Sequence, residues 1–148
     1  MTTTPAGGRR IAAAALTGLL ILVDGALTAI GLLVRSGQQR GNLSRTEAAT
    51  FVLVGASAGV GMVILLLAMV ALARGTRGHS LAKAASASAW LRTAGVIIAL
   101  IAIAISRGIA AIAGLFESFG AAVALFDALI AVFATNVAER RTRFDQAQ

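Results

Sequence analysis

Apolar residues run along this chain in four long blocks, each closed by charge. The first covers residues 11–34, between Arg9–Arg10 and Arg35. The second covers about 49–73 and stops at Arg74. The third covers about 88–106 and stops at Arg107, and the fourth covers about 112–138 and stops at Glu139, Arg140 and Arg141. A helix crossing roughly 30 Å of hydrocarbon needs about 20 apolar residues at 1.5 Å each, and every block meets that length. Hydrocarbon offers no water to backbone N–H and C=O groups, so such segments must be helical. The alternating ten-residue stretches of a membrane β-barrel do not occur. The pattern predicts an all-α integral membrane bundle of four transmembrane helices. They form a single transmembrane domain over 1–148, with polar tails at 1–10 and 140–148.

The connections differ in kind. Residues 36–48 hold Gly37, Gly41 and Asn42 and read as an irregular loop, with Ser44 and Glu47 spaced as a capping box for the second helix. Residues 75–87 begin with Gly75, Gly78, His79 and Ser80, and their tail, Leu81 to Ala85, favours helix and extends the third helix outward. The turn at Arg107–Gly108 is short, so helices three and four are expected to form an antiparallel hairpin. Residues 109–138 exceed the bilayer core if they form one straight helix. The fourth helix is therefore expected to begin as an interfacial turn and enter near Leu115. Arg9–Arg10 before an apolar run resembles the start of a signal peptide, but the run continues past Asp24 to Val34 with no small-residue cleavage site, so it reads as a first span.

Composition agrees and excludes alternatives. The 148 residues are 58% hydrophobic and 13% charged, with mean hydropathy +0.88, against about 45–50% and about 25% in soluble domains. An ordinary soluble domain, a disordered chain and a disulfide scaffold are excluded, and there is no cysteine for thiol or Cys-metal chemistry. Ala and Gly supply 50 of the 148 residues, so the apolar mass is built from small side chains.

The net charge of +7 comes mostly from arginines outside the blocks. With the N-terminus in the cytoplasm, the inner set is Arg9, Arg10, Arg74, Arg77, Lys83, Arg92, Arg140, Arg141 and Arg143, and the outer set is Arg35, Arg40, Arg45 and Arg107. Nine against four predicts both termini inside a plasma (inner) membrane. These cations also suit anionic lipid headgroups, at about 1 kcal/mol each near the surface. No basic helix, aromatic interleaving or nucleic-acid motif accompanies them, so nucleic acid is not an expected partner.

The informative residues are the charges at membrane depth, where an acid costs about 2.5–3.5 kcal/mol and normally faces a bundle interior or a wet cavity. Asp24 stands near the middle of helix one, on a stripe with Thr17, Thr28, Gly31 and Arg35. Two readings stand beside each other. In one, Asp24 is a proton or cation site lined by the Thr28 hydroxyl. In the other it is a hydrogen-bonded packing residue, and the threonines bond their own backbone carbonyls. Asp127 lies at similar depth in helix four, on a stripe of small residues, Gly120, Ala124, Ala131 and Ala134. If the two acids face one another, a shared proton follows. Glu117 is expected near the outer interface.

Arg92 stands four residues into the expected third helix, on a stripe with Gly95, Ala99, Ala102 and Ser106, opposite Ile97, Ile101 and Ile105. It is expected to snorkel to the cytoplasmic surface beside the anchor Trp90, with a salt bridge to Asp127 disfavoured by the reach required. Gly55 and Gly59 form a GxxxG step whose use is close backbone approach, and Gly95 and Gly120 are expected at helix contacts too. His79 is the lone histidine and falls in a loop. No catalytic set, phosphate loop, metal-ligand spacing or cofactor motif is present.

Two functions follow as expectations. The first is a non-enzymatic accessory, assembly or oligomerising subunit that packs against copies of itself or another membrane protein. The second is a small proton- or cation-coupled transporter using Asp24 and Asp127. Four short helices with a midplane acid are similar in layout to the small multidrug-resistance transporters. Here the acid stands late in helix one without aromatic neighbours on its face, so the likeness is architectural.

Overall fold

The computed structural model describes residues 5–37, 45–110, 113–114 and 120–146. They fold into helices α1 (Pro5–Arg35), α2 (Arg45–Arg74), α3 (His79–Arg107) and α4 (Gly120–Gln146), with a 3-10 turn at Gly75–Gly78 between α2 and α3. No strand occurs among the described residues. Each helix carries a segment long and apolar enough to cross a bilayer: Ile11–Arg35, Ala48–Arg74, His79–Arg107 and Gly120–Arg143. The chain is a multi-pass, all-α membrane bundle.

The helices outrun the apolar blocks because charge ends a hydrocarbon span without ending a helix. α3 begins at His79, well before the expected 88, and α4 continues past Glu139. There the Arg143 guanidinium bonds Glu139 one turn back at 3.1 Å, and Thr142 donates to the Glu139 carbonyl at 3.0 Å. Between α3 and α4, residues 109–110 and 113–114 are helical. The expected start of helix four at 112, Glu117 and the Ser44 cap lie outside the described residues, as does the side chain of Glu47.

α2 is the central element. It packs against α1, α3 and α4, and α3 packs along α4, while α1 touches α4 only lightly. The α1–α2 pair is antiparallel: Gly18 lies by Met69, Gly25 by Met62 and Gly31 by Gly55. The α3–α4 pair is antiparallel as well, matching Ser86 with Asn136 and Arg92 with Asp127. On α1 the buried stripe is Ala13, Thr17, Asp24, Gly31 and Val34, a near-heptad repeat suited to packing along α2.

Gly31 and Gly55 set how near α1 comes to α2. A Cβ on Gly55 would stand 2.7 Å from the Gly31 Cα and 3.0 Å from the Leu27 carbonyl, closer than carbon atoms pack. Small residues allow this approach, which replaces the hydrophobic drive that lipid removes. Gly59, the other half of the GxxxG step, meets only the Thr28 side chain at 3.5 Å.

The two halves of the bundle differ. Toward the end carrying the chain termini and the Gly75–Gly78 turn, the interior is closed. Ile64, Ala68, Ala85, Ala89, Val132 and Ala138 form one apolar cluster, and Leu65, Ala131 and Ala134 form another. Toward the opposite end α3 lacks intrachain cover. Its packed face is Ala82, Ala85, Ser86, Ala89 and Thr93. The expected continuation through Gly95, Ala99, Ala102 and Ser106 is exposed, and so are Ile97, Ile101 and Ile105. A Cβ on Gly95 would meet nothing within 4 Å, so this glycine makes no helix contact. Between α2 and α3 a groove of about 730 Å³ opens instead, running from Leu67 and Ser88 past Arg92 to Leu53 and Ile103 and bordered by Gly120, Ala121 and Ala124 of α4.

Candidate functional site

Four helices each contribute to one polar cluster near mid-span. α1 supplies Asp24, α2 supplies Ser57 and the bare backbone of Gly61, α3 supplies Arg92, and α4 supplies Asp127. In an interior otherwise made of small and aliphatic residues with a few hydroxyl side chains, they are the charged groups that meet.

Arg92 is the hub. Its Nη2 donates to Asp127 Oδ2 at 2.5 Å. Nε and Nη2 also donate to the Ser57 hydroxyl oxygen, at 3.2 and 3.1 Å. The fork geometry of guanidinium permits this spread of donors. The Arg92 side chain is 5% exposed and that of Asp127 is 10% exposed. This overturns the expectation that Arg92 snorkels to the surface beside Trp90, which is itself exposed. The reason is helix length: with α3 starting at His79, Arg92 stands near the middle of the helix rather than one turn inside it. The pair with Asp127 therefore runs level across the bundle, with no reach through half a bilayer.

Asp24 completes the cluster. It is fully buried and faces Asp127 and Arg92. Neither of its carboxyl oxygens has a hydrogen-bond partner, and neither does Arg92 Nη1. Gly61 explains how they fit together: a Cβ there would overlap both Asp24 Oδ2 and Arg92 Nη1. Any larger residue at 61 would drive the carboxyl and guanidinium apart.

The threonines do not line this site. Thr28 donates to the Asp24 backbone carbonyl at 2.7 Å, and Thr17 to that of Ala13 at 2.8 Å. Their hydroxyl hydrogens are spent inside α1, so neither threonine donates to the Asp24 carboxyl. Among the described residues no group of three or more metal-ligating side chains assembles.

The arrangement has a charge consequence. Two carboxylates and one guanidinium leave one negative charge uncompensated at mid-membrane. A proton on one carboxyl makes the cluster neutral, and the hydroxyl so created supplies the donor that the oxygens lack. A metal cation would sit beside an arginine, which a covalently bound proton does not suffer from.

Asp24 and Asp127 stand at like depth, as their places in the apolar blocks predict, whereas Ser57, Gly61 and the inward Arg92 join them only through the fold. The available signal was the continuous helical propensity from Leu81 into the third block. No protein-family model, no curated protein sequence and no solved structure matches the chain.

Proposed function

We propose that this is a non-enzymatic membrane protein that binds and releases one proton at the Asp24–Asp127 pair, as a small proton-coupled transporter does. The observation that carries the reading is Asp24, fully buried with both carboxyl oxygens unpaired and facing a second acid already bonded to Arg92. An ionisable group in such a place is a functional site by default. The non-enzymatic part rests on the chemistry gathered there: carboxyls, a guanidinium and a hydroxyl, with His79 far off against Thr142.

Orientation belongs to the same proposal. Arg92 lies at mid-span and reports no topology, so the inner count falls from nine to eight, still against four. That balance favours both termini in the cytoplasm and the basic end of the bundle against anionic headgroups of a plasma (inner) membrane.

The test is pH-driven proton flux in liposomes. Asp24→Asn and Asp127→Asn each leave one carboxylate and one guanidinium, balanced without a proton. Both variants should fold and both should lose the flux. Flux equal to that of the parent in either variant, or a parent with no proton uptake, refutes the proposal.

The accessory or assembly reading has its own support in the groove between α2 and α3. Small residues on its walls, Gly95, Ala99, Gly120 and Ala124, suit a single apolar transmembrane helix of a partner or a second copy. A stoichiometric complex after mild-detergent purification, lost in Gly95→Phe, supports it. An isolated chain in one oligomeric state speaks against it.

A further inference from the structure

The groove between α2 and α3 carries one polar pair at mid-height in walls that are mostly aliphatic. Ser57 of α2 and Arg92 of α3 both line it, and the guanidinium donates to the hydroxyl oxygen at 3.2 and 3.1 Å. That oxygen accepts twice, yet the hydroxyl's own hydrogen donates to nothing among the described residues. A donor left unspent at membrane depth costs free energy until an acceptor reaches it. The wall's other hydroxyls, Thr50 and Ser88, lie nearer its two ends. At the rim, Leu53, Val60, Leu67 and Leu91 are exposed, so in a bilayer the groove opens on hydrocarbon.

Charge narrows what fits. Arg92 stands on the wall, whereas Asp24 and Asp127 lie behind it and do not line the groove. A cation entering from lipid would meet the guanidinium before either carboxyl. A full anion would add an uncompensated charge to a cluster that one proton makes neutral. An uncharged oxygen avoids both costs, since its negative end faces the guanidinium and accepts the Ser57 hydrogen. A lipid acyl chain brings no such oxygen to this depth, and a transmembrane helix spends its carbonyls within itself. The volume of about 730 Å³ suits a small molecule, whose sites span about 300–1,000 Å³.

We infer that the groove binds an elongated, uncharged lipophile carrying one oxygen acceptor, drawn from the membrane and held at Ser57. The inference rests on the proton-coupled reading above, in which this lipophile is the molecule moved. The route of coupling is short. The bound oxygen takes the Ser57 hydrogen, the Ser57 oxygen holds Arg92, and Arg92 holds Asp127, the partner of Asp24 in the proton pair.

The test uses three probes of one length and shape: dihexyl ketone, tridecane and dihexylamine, which is a cation at neutral pH. Each is titrated into ether-lipid nanodiscs holding the full chain, with empty nanodiscs as the background. Dihexyl ketone should bind about tenfold more tightly than tridecane, the difference one hydrogen bond makes. Its infrared carbonyl band should shift as hydrogen-bonded ketone, one per chain. Dihexylamine should not bind above background. In Ser57→Ala the shifted band should vanish and the ketone should bind no better than tridecane. In Ala99→Phe, which fills the groove from its wall, neither should bind.

Ketone and tridecane binding alike in the parent would mean an acyl-chain crevice and overturn the inference. So would preferred binding of dihexylamine, a shifted band that survives both variants, or a groove already filled by a partner or a second copy. The carboxylic-acid band of the unliganded parent reads the proton site separately. Selective ketone binding by a parent with no protonated carboxyl upholds the lipophile site and removes only the proton-coupled reading.

Discussion

Arg92 shows what one residue does when two carboxyl groups share its neighbourhood. Its guanidinium is bonded to Asp127 and Ser57, yet one nitrogen remains unpaired beside Asp24. Breaking a buried ion pair by removing one partner destabilises by about 3–5 kcal/mol, because the other charge stays behind. Arg92→Leu alone should therefore lower stability by about 3 kcal/mol or more. The aspartates should behave differently: either single Asn variant keeps the cluster balanced and folds normally, whereas the double variant strands Arg92 and unfolds readily. Denaturation of the three variants in one lipid mixture checks this non-additivity, and additive effects would argue against a shared charge. The acids were legible in the sequence because intramembrane charge is rare. Arg92 was not, since its place depends on where α3 begins, and apolar content alone put that start at about 88.

The helix pairs hold together by two different means. α1 and α2 meet through glycine, with Gly31 and Gly55 at backbone contact. Gly55→Leu should overpack this crossing and lower stability by about 2 kcal/mol, within the usual range for such insertions. Gly59→Ala, at an ordinary 3.5 Å contact, should change it little. Thermal unfolding that ranks the two the other way would contradict the assignment. α3 and α4 meet through hydrogen bonds, each worth about 0.6 kcal/mol on average between membrane helices. Ser86→Ala should lower stability by about that much. The GxxxG step of α2 was visible as a motif, and Gly31 was visible as a member of the Asp24 stripe on α1. The Ser86–Asn136 bond was invisible because serine and asparagine are unremarkable singly, and only the antiparallel register of α3 against α4 brings them together.

At the scale of the whole molecule, four spans and their helical nature were readable from block length alone. The asymmetry between the ends was not. The half near the termini is closed by alanines and Leu65, while the other half holds an apolar groove that reaches Arg92 and Ser57. The sequence offered small residues on α3 at Gly95 and Ala99 as a packed face. Such residues permit close approach without compelling it, and here α3 leaves the bundle after Thr93. The charge cluster stands between the closed half and the grooved half, ringed by helices that bring two acids and one arginine together. The most direct test of its role is an infrared count of protonated carboxyls per chain in lipid at neutral pH. One such carboxyl is expected in the parent and none in Asp24→Asn or Asp127→Asn. A parent with none, or a band that survives in both variants, would contradict it.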